Sequence, residues 1–216
     1  MTPPGAALPD YLAPDWDRSA LVLIDVQNDF VDGAATIPGT AEKIDAMAAV
    51  AERFRSHDRP IMHVVRLYPP GGSDIDPPRR AAIEAGGHIV APGSVGAQIP
   101  ARLLPGGVPV DLDTTTLLAG DIQPIGAEEL VLFKPRWSAF HRTPLHDLLR
   151  QRDINTVVVA GCNLPNCPRA TLFDASELDY RAVLVTDATS QITDSRLHDL
   201  ALIGVQLRTT AEVFDR

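Results

Sequence analysis

Short apolar runs recur along the chain and are bounded by polar, glycine or proline residues. Runs this short and this continuously apolar predict strands that are buried on both faces, as in parallel sheets. We expect strands at ALVLI (20–24), PIMHVV (60–65), LVLF (130–133), NTVVVA (155–160) and AVLVT (182–186), and a weaker one at GVQL (204–207).

Between these runs, apolar residues repeat at helical spacing. Helices are predicted from the N-cap Thr40, from the Thr143 cap, after Cys167 with Phe173 on the buried face, and over residues 194–202. Strands that alternate with helices require crossover connections. The predicted fold is therefore α/β, a three-layer α/β/α sandwich whose doubly wound, mostly parallel sheet has about six strands.

Residues 67–126 break this alternation, because the segment is rich in glycine and proline (YPPGGSDIDPP, APGSVG, LLPGGVPV). We interpret the whole chain, residues 1–216, as one domain that carries a long loop-rich insert around 67–126. A long loop in a compact domain is usually a lid, a binding loop or an oligomer contact.

Composition and charge narrow the classes of partner. The 216 residues are 45% hydrophobic, which is normal for a folded domain, and the formal net charge is -9. Since lysine and arginine form no cluster, we expect no nucleic-acid and no membrane partner. The sequence has no pattern of a signal peptide or a membrane span, which predicts a cytoplasmic protein with both cysteines reduced.

Reactive side chains follow three of the predicted strands. Asp25 follows the first strand, Lys134 follows LVLF, and the turn GCNLPNC (161–167) follows NTVVVA. Taken singly, the aspartate is often a turn former, the lysine is often solvated and a cysteine before a helix is often packing. The carboxyl ends of parallel strands share one edge, where ligands bind, so these side chains are predicted to meet there.

The grouped side chains suit acyl transfer. Cys167 begins a predicted helix, whose N-terminus favours a thiolate, and the positive charge of Lys134 favours it too. Asp25 is placed to take the thiol proton and return it to a leaving group, and backbone N–H groups of the turn are candidate oxyanion donors. Cys162 is expected to be a small buried residue; a C-x4-C metal pair has unusual spacing, and a disulfide would block the nucleophile.

The segments LVLIDVQNDF, KPRWSAF, GCNLPNC and AVLVTDATS resemble the isochorismatase-like cysteine hydrolase superfamily from about residue 18 to about residue 207. That superfamily includes nicotinamidases, N-carbamoylsarcosine amidase, ureidoacrylate amidase, biuret hydrolase and the isochorismatases. The resemblance implies that Asp25 is the general acid and base, Lys134 the family's lysine and Cys167 the nucleophile. It also implies a cis peptide between Cys162 and Asn163, and an oxyanion hole formed by the N–H groups of Asn163 and Cys167.

The resemblance further implies that Phe30, Trp137 and Phe140 bind the substrate. Nicotinamidases carry a metal-binding D-x-H with a further histidine, whereas the matching loop here reads GGSDIDPPRRAAIEAG. We therefore expect no metal and no other cofactor. Arg79, Arg80 and Arg136 are candidates for binding a substrate carboxylate, although exposed arginines are usually solvated.

The resemblance implies carbon–nitrogen cleavage, because the isochorismatase subgroup that hydrolyses a vinyl ether lacks the cysteine that this chain has. The predicted function is a cysteine-dependent hydrolase that cleaves a small amide, a carbamoyl or ureido compound, or a lactam through a thioester. One alternative is an ether hydrolase that uses Asp25 without covalent catalysis. Another is a catalytically silent small-molecule-binding protein. A small-molecule substrate and a homo-oligomer, dimer or tetramer, are the expected partners.

Overall fold

A seven-stranded sheet forms the centre of the computed structural model, which describes residues 10–72 and 74–215. The strands are β1 Ser19–Ile24, β2 Ile61–Val65, β3 Gln123–Pro124, β4 Glu129–Phe133, β5 Thr156–Gly161, β6 Arg181–Thr189 and β7 Gln206–Arg208. Their order is β3-β4-β2-β1-β5-β6-β7, and β3 alone pairs antiparallel with its neighbour. Every residue of β1 and β5, which lie side by side at the centre, is buried.

Helices cover both faces of the sheet, which confirms the predicted α/β sandwich. They are α1 Asn28–Val31, α2 Ile44–Ser56, α3 Pro77–Glu84, α4 Thr114–Leu118, α5 Leu145–Gln151, α6 Cys167–Glu177 and α7 Asp194–Leu202. The core on one face includes α2, and the core on the other face includes α5, α6 and α7. Among the described residues, no helix combines the length and the apolar character needed to cross a lipid bilayer.

Two local predictions about the helices were wrong. Thr40 does not cap a helix with its side chain, because its hydroxyl donates instead to Ser190 Oγ at 3.1 Å. Phe173 is 38% exposed rather than buried, and the guanidinium of Arg169 lies over its ring at 5.5 Å. β3 was not predicted, since a two-residue strand at the sheet edge leaves no apolar run.

The insert, residues 67–126, packs onto the same face of the sheet as α2. Its buried apolar side chains join that core, among them Ile75, Ile83, Leu103, Leu104 and Leu117. The glycine- and proline-rich sequence thus forms short helices and turns that cover the sheet, with α3 and α4 among them.

A buried polar cluster ties the insert to the sheet. Arg55 donates to both carboxylate oxygens of Glu129, at 2.9 and 2.7 Å, and to the carbonyl oxygen of Leu103 at 2.6 Å. His63 Nε2 lies 2.7 Å from the same carboxylate. Although burial favours the neutral acid, the hydrogen bonds from His63 and Arg55 hold the pKa of Glu129 below its usual range.

Candidate active site

The ends of β1 and β5 meet at an unusually close approach. A side chain at Gly161 would place its Cβ 2.3 Å from the carbonyl oxygen of Ile24, so only glycine fits at this position. Asp25 follows Ile24 with φ at 54°, a left-handed conformation that aspartate tolerates better than most residues. Cys162 donates its S–H to the Asp25 carbonyl at 2.9 Å and is 1% exposed, which confirms the small buried residue predicted there.

Asp25 and Lys134 form a buried ion pair. Lys134 Nζ donates to Asp25 Oδ2 at 2.8 Å and to the Arg136 carbonyl at 3.2 Å, and the lysine side chain is fully buried. A buried ammonium is stable only when it is paired, and here the carboxylate supplies the charge. The other carboxylate oxygen, Asp25 Oδ1, has no hydrogen-bond partner among the described residues. It therefore remains free to accept a proton.

Cys167 is the first residue of α6 and lines the same pocket as Asp25. Burial and the negative charge of Asp25 raise the pKa of its thiol to about 12, although Lys134 and Arg66 act in the opposite direction. The sequence led us to expect a resting thiolate at this helix N-terminus. With its pKa raised in this way, the resting sulfur keeps its proton at neutral pH and needs a base for attack.

This protonation state predicts slow alkylation of Cys167. At neutral pH iodoacetamide should react more slowly than with a free cysteine, whose pKa is about 8.5, because only the thiolate is nucleophilic. The rate should rise about tenfold for each pH unit between about 7 and 10. Site-resolved mass spectrometry measures this, with the fully buried Cys162 as an internal reference. A rate that levels off near pH 7 would instead indicate a thiolate at rest.

The turn before α6 carries the two expected oxyanion donors. The peptide between Cys162 and Asn163 is cis, as the resemblance implies. Neither the Asn163 N–H nor the Cys167 N–H donates to a backbone carbonyl in the part of the chain that the structure describes. The Asn163 side-chain amide donates to Gln191 Oε1 at 2.9 Å. The Asn163 backbone carbonyl accepts from the Asn166 N–H at 3.0 Å. These contacts hold the turn in place.

A pocket of about 300 Å³ opens above these groups. Two of the three predicted aromatic residues line it: Phe30 is 4% exposed, and Trp137 is 41% exposed. Phe140 is not among the lining residues, and its ring stacks on Tyr180 at a centroid distance of 5.7 Å. Within residues 10–72 and 74–215, no three His, Cys, Asp or Glu side chains are grouped as a metal site would require.

Three buried polar residues of the pocket lining were missed in the sequence. Arg66, Tyr68 and Asp76 line the pocket, and all three are buried. Tyr68 donates to Asp76 Oδ1 at 2.9 Å, and Arg66 Nη1 lies 3.2 Å from the same oxygen. Arg66 directly follows β2, so the argument from strand ends would have found it. Tyr68 and Asp76 lie in the insert and have no such signal.

Comparison with known proteins identifies the family of the chain. The Isochorismatase domain family matches residues 19–216. A protein of Arabidopsis thaliana named a probable inactive nicotinamidase is 32% identical over 211 residues, which cover 93% of this chain and 97% of that protein. A ureidoacrylate amidohydrolase of Methylobacterium radiotolerans is 28% identical over 214 residues, which cover 93% of this chain and 78% of that enzyme.

Solved structures share the fold over nearly the whole chain. An isochorismatase family protein of Desulfovibrio vulgaris is 33% identical with a TM-score of 0.78, over 92% of this chain and 97% of that one. N-carbamoylsarcosine amidase of Thermoplasma acidophilum is 26% identical with a TM-score of 0.71, over 91% and 99% of the two chains. Since the family match includes the segments that carry Asp25, Lys134 and Cys167, the chain belongs to the isochorismatase family.

Proposed function

We propose that this protein is a cysteine hydrolase that cleaves a carbon–nitrogen bond in a small amide, a carbamoyl or ureido compound, or a lactam. One observation carries the proposal. Cys167 and Asp25 line one pocket, and among the described residues one Asp25 carboxylate oxygen has no hydrogen-bond partner while Lys134 donates to the other at 2.8 Å. The pocket therefore contains a nucleophile, a base and a fixed counter-charge.

In the first half of the reaction, Asp25 takes the Cys167 proton as the sulfur attacks the substrate carbonyl. The carbon–sulfur bond forms and the carbonyl π electrons move to oxygen, where the N–H groups of Asn163 and Cys167 donate to the oxyanion. As the carbonyl re-forms, the carbon–nitrogen bond breaks. Protonated Asp25 then gives its proton to the departing nitrogen, which leaves a thioester on Cys167.

In the second half, water attacks the thioester while Asp25 takes one of its protons. The second tetrahedral intermediate collapses, the carbon–sulfur bond breaks, and the sulfur regains the proton from Asp25. Lys134 stays charged throughout and offsets the negative charge that moves between the carboxylate and the sulfur. Because the resting thiol has a raised pKa, the proton transfer is coupled to the arrival of a carbonyl.

Two alternatives make different demands on Cys167. An ether hydrolase would use Asp25 as an acid and need no thiol, whereas a silent binding protein would need neither group. The silent alternative is tested as well, because one relative, from Arabidopsis, is named a probable inactive nicotinamidase. Cys167 lines the same pocket as Asp25, whose Oδ1 has no hydrogen-bond partner among the described residues and can accept the thiol proton, and this favours the covalent route.

The proposal is tested with a panel of primary amides, ureido acids and lactams. Ammonia, amine or ring-opened product is followed by mass spectrometry, and acid-quenched protein is weighed intact for an acyl adduct. We expect at least one substrate to give product, an adduct that maps to Cys167, and the same rate after treatment with a chelator. Product without any dependence on Cys167 would support ether-type chemistry, and ligand binding without product would support the silent alternative.

A further inference from the structure

The charged side chains around the pocket do not balance. Four of them line it, namely Asp25, Arg66, Asp76 and Arg79, and Lys134 lies buried against Asp25. Asp25 is paired with Lys134 at 2.8 Å and Asp76 with Arg66 at 3.2 Å. Arg79 has no such partner in the part of the chain that the structure describes, so the described lining carries one positive charge in excess. The whole chain has a formal net charge of -9, and a basic composition therefore does not explain this excess.

Arg79 is the only one of the three arginines considered from the sequence that lines this pocket. Arg80 donates its guanidinium to the Ile75 carbonyl at 2.9 Å, and Arg136 is paired with Asp74 at 2.7 Å. Within residues 10–72 and 74–215, the half-buried Arg79 side chain has neither an ion pair within 4.0 Å nor a hydrogen bond. It is therefore positioned to receive a ligand rather than to support the fold.

Arg66 supplies a second, independent sign of an anionic ligand. Its side chain is 3% exposed and lines the pocket, yet Nη1 has no hydrogen-bond partner among the described residues. The ion pair with Asp76 at 3.2 Å satisfies its charge but leaves that N–H without an acceptor. A buried donor of this kind costs free energy until a ligand or a water molecule accepts from it.

We infer that the substrate carries a carboxylate in addition to its scissile amide or ureido group, and that Arg79 and Arg66, which line the same pocket, bind that carboxylate. This inference rests on the proposed function, because it places the scissile carbonyl at Cys167. A guanidinium matches a carboxylate through two parallel hydrogen bonds, which neutral amides do not reproduce. A pocket of about 300 Å³ suits a small anion of this kind.

The test compares substrates that differ in one charge. Succinamate has a primary amide and a carboxylate, whereas succinamide has a second amide in place of the carboxylate. 3-Ureidopropionate and its methyl ester form a corresponding ureido pair. In Arg79→Gln we expect kcat/KM for the anionic member to fall about 10- to 100-fold and for the neutral member less than about 3-fold. Arg80→Gln, one position along α3, is the matched control and should leave both values unchanged.

Binding provides an arm that needs no turnover. Calorimetry on Cys167→Ala should detect 3-ureidopropionate or succinamate, and the double variant with Arg79→Gln should bind it about 10-fold or more weakly. Arg66→Lys, which keeps a positive charge paired with Asp76, should lower the affinity for the same ligand. The inference is overturned if neither carboxylate binds, or if Arg79→Gln leaves the ratio of anionic to neutral kcat/KM unchanged. Turnover that survives in Cys167→Ala would overturn the proposed function alone.

Discussion

Cys167→Ala should lower turnover of a cleavable substrate by at least about a thousandfold, because the variant has no nucleophile to form the thioester. The loss should appear in kcat, since the pocket and its donors remain in place. Ammonia release from the best substrate of the panel measures it, and circular dichroism checks the fold. The acyl adduct seen by intact mass spectrometry should disappear together with the rate.

Cys162→Ser is the matched variant for this loss. It removes the other thiol and keeps a donor for the Asp25 carbonyl, which Cys162 contacts at 2.9 Å. We expect it to retain both the acyl adduct and measurable turnover. A Cys167→Ala protein that keeps most of its rate would contradict covalent catalysis and favour an acid mechanism through Asp25.

Lys134→Met should be costly for both stability and activity. The substitution leaves the Asp25 carboxylate buried without its counter-charge, and breaking a buried pair in this way costs about 3 to 5 kcal/mol. Urea unfolding should therefore show a much lower free energy of unfolding. Turnover should fall at least about a hundredfold, because the negative charge that moves between Asp25 and the sulfur loses its fixed counter-charge.

The double variant Asp25→Asn/Lys134→Met separates the two effects. It removes both charges, so we expect most of the lost stability to return while turnover stays absent. If the single variant were as stable as the wild type, the buried pair would not be an essential counter-charge. If the double variant recovered turnover along with stability, Asp25 would not be the proton carrier.

The strand ends were predictable because the apolar runs stop sharply at Asp25, Lys134 and Gly161. Parallel pairing then brings these ends to one edge without any knowledge of the loops. The depth at which Cys167 lies was not predictable, because it depends on tertiary packing, which places its side chain in the core on the face of the sheet that α5, α6 and α7 cover. For that reason the helix N-terminus gave the wrong expectation for the thiol, whose pKa burial raises.

The sequence also did not predict which of the other side chains meet each other or reach the pocket in the folded chain. Phe140 and Trp137 belong to one short segment, and only tertiary packing decides that one ring stacks on Tyr180 while the other reaches the pocket. Arg66 was overlooked although its strand end is as clear as the others, because an arginine is usually solvated. Its pairing with Asp76 joins residues on the two sides of a proline-rich turn, and no local pattern encodes that contact.

The insert supplies pocket-lining residues that are separate along the sequence from the proposed catalytic residues. The groups proposed to break the bond follow strands of the sheet, whereas Tyr68, Asp76 and Arg79 come from the insert, which Arg55 of α2 ties to Glu129 of the sheet through the Leu103 carbonyl. Mutation or grafting within the insert can therefore change the substrate specificity while the residues proposed to break the bond stay the same. A scaffold built in this way can diversify without first losing its chemistry.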